Sequence, residues 1–214
     1  GEPFSTQKLN TLQSNYDATG YFKSVNIVPN IPTGKNTSTR IPVHTTFQMD
    51  KKKMYQIGLG YGTVSGPRIK GSVNWRWINR YGQKFKLSIM RSRVMNRLTA
   101  QYLIPASRPM TDHYSISASI FEMTPPHKAK AFVKKLGVGY LVKRQKWTWN
   151  FGLDRVWERW RLGKSDGYTN SKLLIPSISA SYASTNNTIL VENGFRLYVA
   201  LQGAYKPALS SVSF

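Results

Sequence analysis

From Lys53 onward the chain sets an apolar side chain at every second position and a small or polar one between. Tyr55, Ile57, Leu59 and Tyr61 alternate with Gln56, Gly58 and Gly60. Ile69, Val73, Trp75 and Trp77 alternate with Lys70, Ser72, Asn74 and Arg76. The same rhythm returns at Phe85–Ile89, Leu98–Ile104, Tyr114–Ile120, Leu136–Val142, Trp147–Leu153, Leu174–Tyr182 and Phe195–Leu201. A period of two marks a strand whose two faces meet different surroundings. The intervening segments, "GTVSGP", "NRYGQ", "PASRPMTD", "TPPHK" and "STNNT", carry the Gly, Pro, Asn, Asp and Ser that favour chain reversal. "LSSVSF" at the end is expected to begin or complete one more strand. The pattern predicts about nine or ten antiparallel strands, each of about 8 to 12 residues, in up-and-down order.

The segment before Lys53 follows a different rhythm. Ser5 is a candidate N-cap, Leu9, Leu12 and Tyr16 follow at helical spacing, and Gly20 is a candidate stop. "KSVNIVP" reads as a short strand with Val25 and Ile27 on one face. "NIPTGKNTSTR" reads as a polar loop, and "IPVHTTFQ" as a second strand with Ile41, Val43, Thr45 and Phe47 on one face. So short a segment is too small for a robust core of its own. It reads as the end of a small α+β domain, residues 1–50, followed by a β domain, residues 51–214.

Alternation alone fits a soluble sandwich or a lipocalin-type barrel as well as a membrane barrel. Two features favour the membrane. The polar positions are dominated by Ser, Gly, Thr and Asn, and glycines at 58, 60, 137, 139 and 152 suit a crowded or water-lined interior. Aromatics also gather at strand ends: Tyr55 and Tyr61 bracket the first strand, Trp75 and Trp77 close the second, and Trp147 and Trp149 open the seventh. Girdles of this kind flank the apolar band of outer-membrane barrels.

Composition adds a charge to be explained. The 214 residues hold 31 Lys and Arg against 9 Asp and Glu, a formal net charge of +22. Such a balance points to an acidic partner, whether nucleic acid, anionic lipid or lipopolysaccharide. On the barrel reading, Lys70, Arg76, Lys84, Lys86, Arg97, Lys135 and Arg196 fall on the polar face and line the lumen. Arg91, Arg93, Lys143, Arg144 and Lys146 fall near strand ends, at headgroup depth. The chain has no cysteine, which excludes disulfides and thiolate metal sites. No run of about 18 to 20 apolar residues forms a membrane helix. His44, His113 and His127 have no metal-type spacing, and the carboxylates form no acid/base pair. "DRVWERWRLGK" reads as a charged strand end or loop. The expectation is a protein with no catalytic residues, metal or cofactor.

"GEPFSTQKLNTLQSNYDATGYFKSVNI" resembles the late part of a polypeptide-transport-associated (POTRA) domain, through Gly20, Tyr21, Phe22 and Val25. The following residues resemble the junction into the barrel of TamA-like outer-membrane assembly factors, within the BamA/TamA superfamily of bacterial surface antigens. That likeness rests on Pro42-Val43, on Tyr55 with Gly58–Tyr61, on Gly66-Pro67-Arg68, and on Trp75 and Trp77 with Asn79 and Gly82. "GFRLYVALQGAYKPALSSVSF" resembles a later strand pair. Against a family barrel of about sixteen strands, the chain reads as an excised or truncated piece. It lacks the family's Arg-Gly-Phe/Tyr lid-loop motif, and Thr63-Val64-Ser65 replaces the usual acidic turn before Gly66.

The resemblance implies a protein-assembly and transport role in the outer membrane of a Gram-negative bacterium, with the N-terminal part in the periplasm. It implies non-enzymatic insertion of autotransporter-type or other β-barrel clients through a lateral gate. The gate strand would be Tyr55, Ile57, Gly58, Leu59, Gly60 and Tyr61. Implied partners are outer-membrane lipid or lipopolysaccharide, client barrels and a TamB-like periplasm-spanning protein, with no nucleic acid. Two alternatives stay open from the residues: a passive porin-like barrel closed by its own strands, and a soluble basic β protein that binds nucleic acid.

Overall fold

Local signals build the first element. Helix α1 (Thr6–Thr19) starts at Ser5, whose backbone is extended and whose hydroxyl accepts a hydrogen bond from the Lys8 amide at 3.4 Å. It stops at Gly20, which adopts φ 69° and donates its N–H to the Asp17 carbonyl; a side chain is disfavoured in that left-handed conformation. The computed structural model describes residues 4–30, 41–124, 130–161, 163, 167–185 and 194–204.

Strand β1 (Phe22–Pro29) pairs antiparallel with β2 (Val43–Met49), setting Val25 opposite Phe47 and Ile27 opposite Thr45. Val25 and Ile27 are buried. The Gln13 amide donates to the Val25 carbonyl at 2.9 Å, tying helix to strand. Tyr16, Phe22 and Phe47 pack ring against ring beside this contact. Residues 31–40, read as the loop between the strands, lie outside the described residues. The chain forms two compact units, Gly1–Lys52 and Lys53–Phe214.

The second unit is one antiparallel sheet of nine described strands. They are β3 (Lys53–Gly62), β4 (Gly66–Trp75), β5 (Lys84–Ser92), β6 (Met95–Pro105), β7 (Asp112–Met123), β8 (Lys130–Arg144), β9 (Trp147–Arg161), β10 (Thr169–Thr185) and β11 (Gly194–Gln202). Each pairs with its neighbours in sequence, so the order runs from β11 to β3 without a crossover. The register keeps like with like. One row across the sheet reads Tyr55, Val73, Leu87, Ala100, Ala118, Leu136, Arg155 and Leu174. Because side chains alternate faces strictly, one such row fixes the face of every residue in the ladder. "LSSVSF" lies outside the described residues.

Three local expectations are corrected. Gly66 and Pro67 belong to β4, not to the turn; the reversal is made by Thr63-Val64-Ser65. Gly62 pairs with Gly66, which takes φ 65°, the left-handed residue that a three-residue hairpin needs. Trp77 and Arg76 lie past the end of β4. Finally, β8, β9 and β10 run 15, 15 and 17 residues, and "DRVWERWR" continues β9 instead of ending it.

Candidate functional site: an apolar sheet face and its open edge

The alternation places the apolar residues on the more exposed face. Ile57, Leu59 and Tyr61 are 83, 79 and 76% exposed, and Leu136, Val138 and Ile116 remain about half exposed in the middle of the sheet. Along β7 every residue of this face from Tyr114 to Ile120 is exposed, while His113, Ser115, Ser117 and Ser119 on the other face are half-buried. A soluble barrel or sandwich reverses this order, because burial of the apolar face is what holds it together. The buried apolar cluster of the second unit is small: Val156, Leu173 and Ala204, flanked by Val133 and Ile175.

The opposite face is crowded rather than bare. A Cβ on Gly137 would collide with the Asp154 carboxylate and the Ser117 hydroxyl. One on Gly139 or Gly152 would come within 2.7 Å of Ser115 Oγ or 2.6 Å of Ser177 Oγ. On this face Lys135 forms an ion pair with Asp154 at 2.6 Å, and the Arg196 guanidinium donates to Ser181 Oγ at 3.3 Å. Register also sets Lys70, Lys86 and Arg97 here, as the sequence predicts. Crowding accounts for Gly60 too, whose Cβ would meet the Arg68 side chain at 2.7 Å, but not for Gly58, which has only Lys70 Cβ at 3.9 Å.

The aromatics of the exposed face touch one another at the end of the sheet where β3 begins. Trp75 packs on Phe85, and Tyr114 stacks on Tyr140 at 4.6 Å. Trp147, Trp149, Tyr182 and Phe195 form a continuous run of ring contacts across β9, β10 and β11. At the same end Arg144 grips buried Asp112 with two nitrogens, at 2.5 and 2.8 Å. The turn after β4 is held by Asn79, whose amide donates to Gln83 Oε1 at 2.7 Å and whose carbonyl oxygen accepts from the Tyr81 N–H. Tyr102 donates to the same Gln83 oxygen. Gly82 closes the turn with φ 70°. Sequence reading finds Asn79 and Gly82 here but not Gln83, whose partners are set by a turn and by a strand beyond it.

At the other end the polarity of the two faces inverts. On the exposed face of β8–β10 the apolar series gives way to Lys134, Arg155, Arg159 and Lys172, while the opposite face becomes apolar with Val133, Val156, Leu173 and Ile175. Alternation itself continues, so the sequence signal for this change is the parity carried over from Phe151 and Val138.

Strand β3 ends the sheet. It forms ten register pairs with β4 and has no described strand on its other side. Tyr55, Ile57, Leu59 and Tyr61 of the predicted gate strand lie on its exposed face, with Gly58 and Gly60 on the other. In the first unit, Gly20 caps the helix, Phe22 and Val25 begin β1, and the Tyr21 carbonyl accepts from the Asp50 amide at 3.0 Å. Burial pushes the Tyr21 hydroxyl's pKa up.

No family model matches the chain. Its fold is similar to that of BamA from Haemophilus ducreyi lacking POTRA domains 1–3, with a TM-score of 0.64 over 98% of this chain and 15% sequence identity. The chain spans 44% of that structure. The likeness is one of fold, and the fold of this chain is a mainly antiparallel, up-and-down sheet of the BamA type.

Proposed function

We propose that the chain is part of an outer-membrane assembly factor of the TamA type, which inserts client β-barrel proteins without covalent chemistry. In this reading residues 1–50 are the end of a POTRA domain in the periplasm, where a TamB-like partner would meet the protein, and the sheet is the first part of the barrel. The observation that carries it is the exposed apolar face of an up-and-down sheet whose other face is lined by serines, glycines and cations. That arrangement suits lipid outside and water inside.

The mechanism follows from the edge. In the whole barrel β3 would pair weakly with the last strand; where that pairing opens, its backbone donors and acceptors template the addition of another strand. A client hairpin adds there, its apolar side chains continuing the lipid-facing row of Tyr55, Ile57, Leu59 and Tyr61. Gly58 lacks a packing reason to be glycine, and a glycine inside a strand weakens its pairing. It makes β3 the strand that opens most readily.

This chain has no cysteine, so cysteines added to it report on the edge once any cysteine elsewhere in the full-length protein is replaced by serine. Single cysteines placed at positions 55–61 of the full-length protein are expected to form disulfides with a cysteine in the last strand of a stalled client, in a single register. Cysteines on β7 should form none. Capture by β7 as often as by β3, in a barrel that still assembles clients, overturns the gate.

A further inference from the structure

Trp157 lies on the exposed face with a cation at each of its four nearest same-face positions. Lys134 and Lys172 stand directly opposite it on β8 and β10. Arg155 and Arg159 are two residues before and after it on β9, a spacing that keeps them on the same face. The Arg155 guanidinium sits 5.7 Å from the Trp157 ring centre. Arg159 and Arg161 flank the Tyr168 ring at 4.1 and 5.0 Å, and Lys134 lies over Phe132 at 5.5 Å. Glu122 of this face accepts from Asn96 at 3.1 Å, and Glu158, on the other face by register, reaches the groove beside Arg159.

Lys134, Arg159 and Lys172 line a groove of about 980 Å³ together with Trp157 and one carboxylate, Glu158, and with Leu98 and Ile120 on the side of β6 and β7. One side is therefore cationic and aromatic, and the other aliphatic. Beneath it the buried cluster of Val156 and Leu173 holds β9 and β10 in place.

We propose that this groove binds a phosphorylated, multiply acylated glycolipid of the outer leaflet. Its phosphates lie among Lys134, Arg159 and Lys172, and an acyl chain lies along Leu98 and Ile120. Phosphate oxygens accept charge-assisted hydrogen bonds from several cations at once. A tryptophan at headgroup depth offers an apolar ring and a polar N–H together. The aliphatic wall continues the apolar face, so headgroup and chain are recognised by adjoining surfaces. The leaflet follows from topology: the patch lies at the end of the strands away from Lys53, where the chain leaves the first unit. This rests on the barrel reading above, with residues 1–50 in the periplasm.

The test uses the full-length protein in phosphatidylethanolamine nanodiscs, with retained lipid counted by native mass spectrometry. Three probes are added in turn: diphosphorylated lipid A, lipid A stripped of both phosphates, and cardiolipin. The unmodified protein should retain the diphosphorylated form about tenfold better than either other probe. The Lys134→Gln/Arg159→Gln pair should lose that preference, and Lys70→Gln on the opposite face should keep it. Equal retention of the stripped lipid overturns the phosphate site, and this arm needs no variant. Equal retention of cardiolipin overturns the glycolipid assignment. A protein that inserts but shows no phosphate preference overturns this inference alone, whereas a protein that does not insert into a bilayer overturns the barrel reading with it.

Discussion

Two levels of the same three strands, β8, β9 and β10, carry opposite polarity. Around Val138, Leu153 and Ile178 the exposed face is apolar and the other face is glycine and serine. Near Lys134, Trp157 and Lys172 the exposed face is cationic, and the other face gains Val133, Val156, Leu173 and Ile175 beside Lys135 and Glu158. The hydrogen-bond ladder runs unbroken between them, so the backbone does not change; the surroundings do. On β9 the exposed apolar run from Trp147 to Leu153 covers roughly 20 Å along the strand at about 3.3 Å per residue, or roughly 15 Å of height at a strand tilt of about 40°, which fits within the apolar band of about 25 Å in outer-membrane barrels. On the proposed barrel reading, the inversion marks where the strands leave hydrocarbon. Beyond it Val156 and Leu173 pack with Ala204 on the less exposed face, and the exposed face carries Lys134, Arg155, Arg159 and Lys172.

Charge placement should separate the two levels most strongly. Val138→Arg puts a cation in the middle of the apolar band and is expected to cost about 2–4 kcal/mol, whereas Phe132→Arg, beyond the inversion, should cost about 0–1 kcal/mol. Equilibrium urea unfolding from lipid vesicles measures both, and equal costs would erase the distinction. Next in size, Gly137→Val forces a side chain into the space of Asp154 and Ser117 and should destabilise by about 1–3 kcal/mol, read in the same unfolding experiment. Gln83→Leu removes the acceptor shared by Asn79 and Tyr102 and should cost about 1 kcal/mol, with faster hydrogen exchange confined to the turn between β4 and β5. The smallest effect belongs to the edge. Gly58→Ala meets no obstacle and should stabilise β3 by about 0.5–1 kcal/mol, while slowing client insertion in a reconstituted assay. A Gly58→Ala protein that inserts clients faster would argue against β3 as the moving strand.

Much of this is readable in the residues because a period of two is a local property. The nine strands, the faces of Tyr55–Tyr61 and Tyr114–Ile120, and the caps at Ser5 and Gly20 all follow from neighbours in sequence. The inversion is harder to read. Lys134 and Lys135 stand side by side and look like one polar break, yet they point to opposite faces, one to the groove and the other to Asp154. "DRVWERWR" looks like a strand end because its charges are dense, and its tryptophans and arginines sort into faces only once the register with β8 and β10 is known. The turn at Thr63-Val64-Ser65 is displaced by one or two residues from the sequence expectation because Gly66-Pro67 looks like a reversal. Gly66 instead supplies the left-handed step into β4, and Pro67 follows within the strand.

On the barrel reading, the exposed apolar face of the sheet meets hydrocarbon, and on β8 that contact ends between Leu136 and Lys134. Nitroxide labels on single cysteines at each position from 132 to 144, in the full-length protein reconstituted into bilayers, locate that boundary. Collision rates with lipid-soluble oxygen and with a water-soluble nickel complex report the surroundings of each label. High oxygen and low nickel access are expected at 136, 138, 140 and 142, with the reverse at 132 and 134 and low oxygen access at 137 and 139. Oxygen access that peaks at the odd positions, or that shows no period of two, would contradict the account.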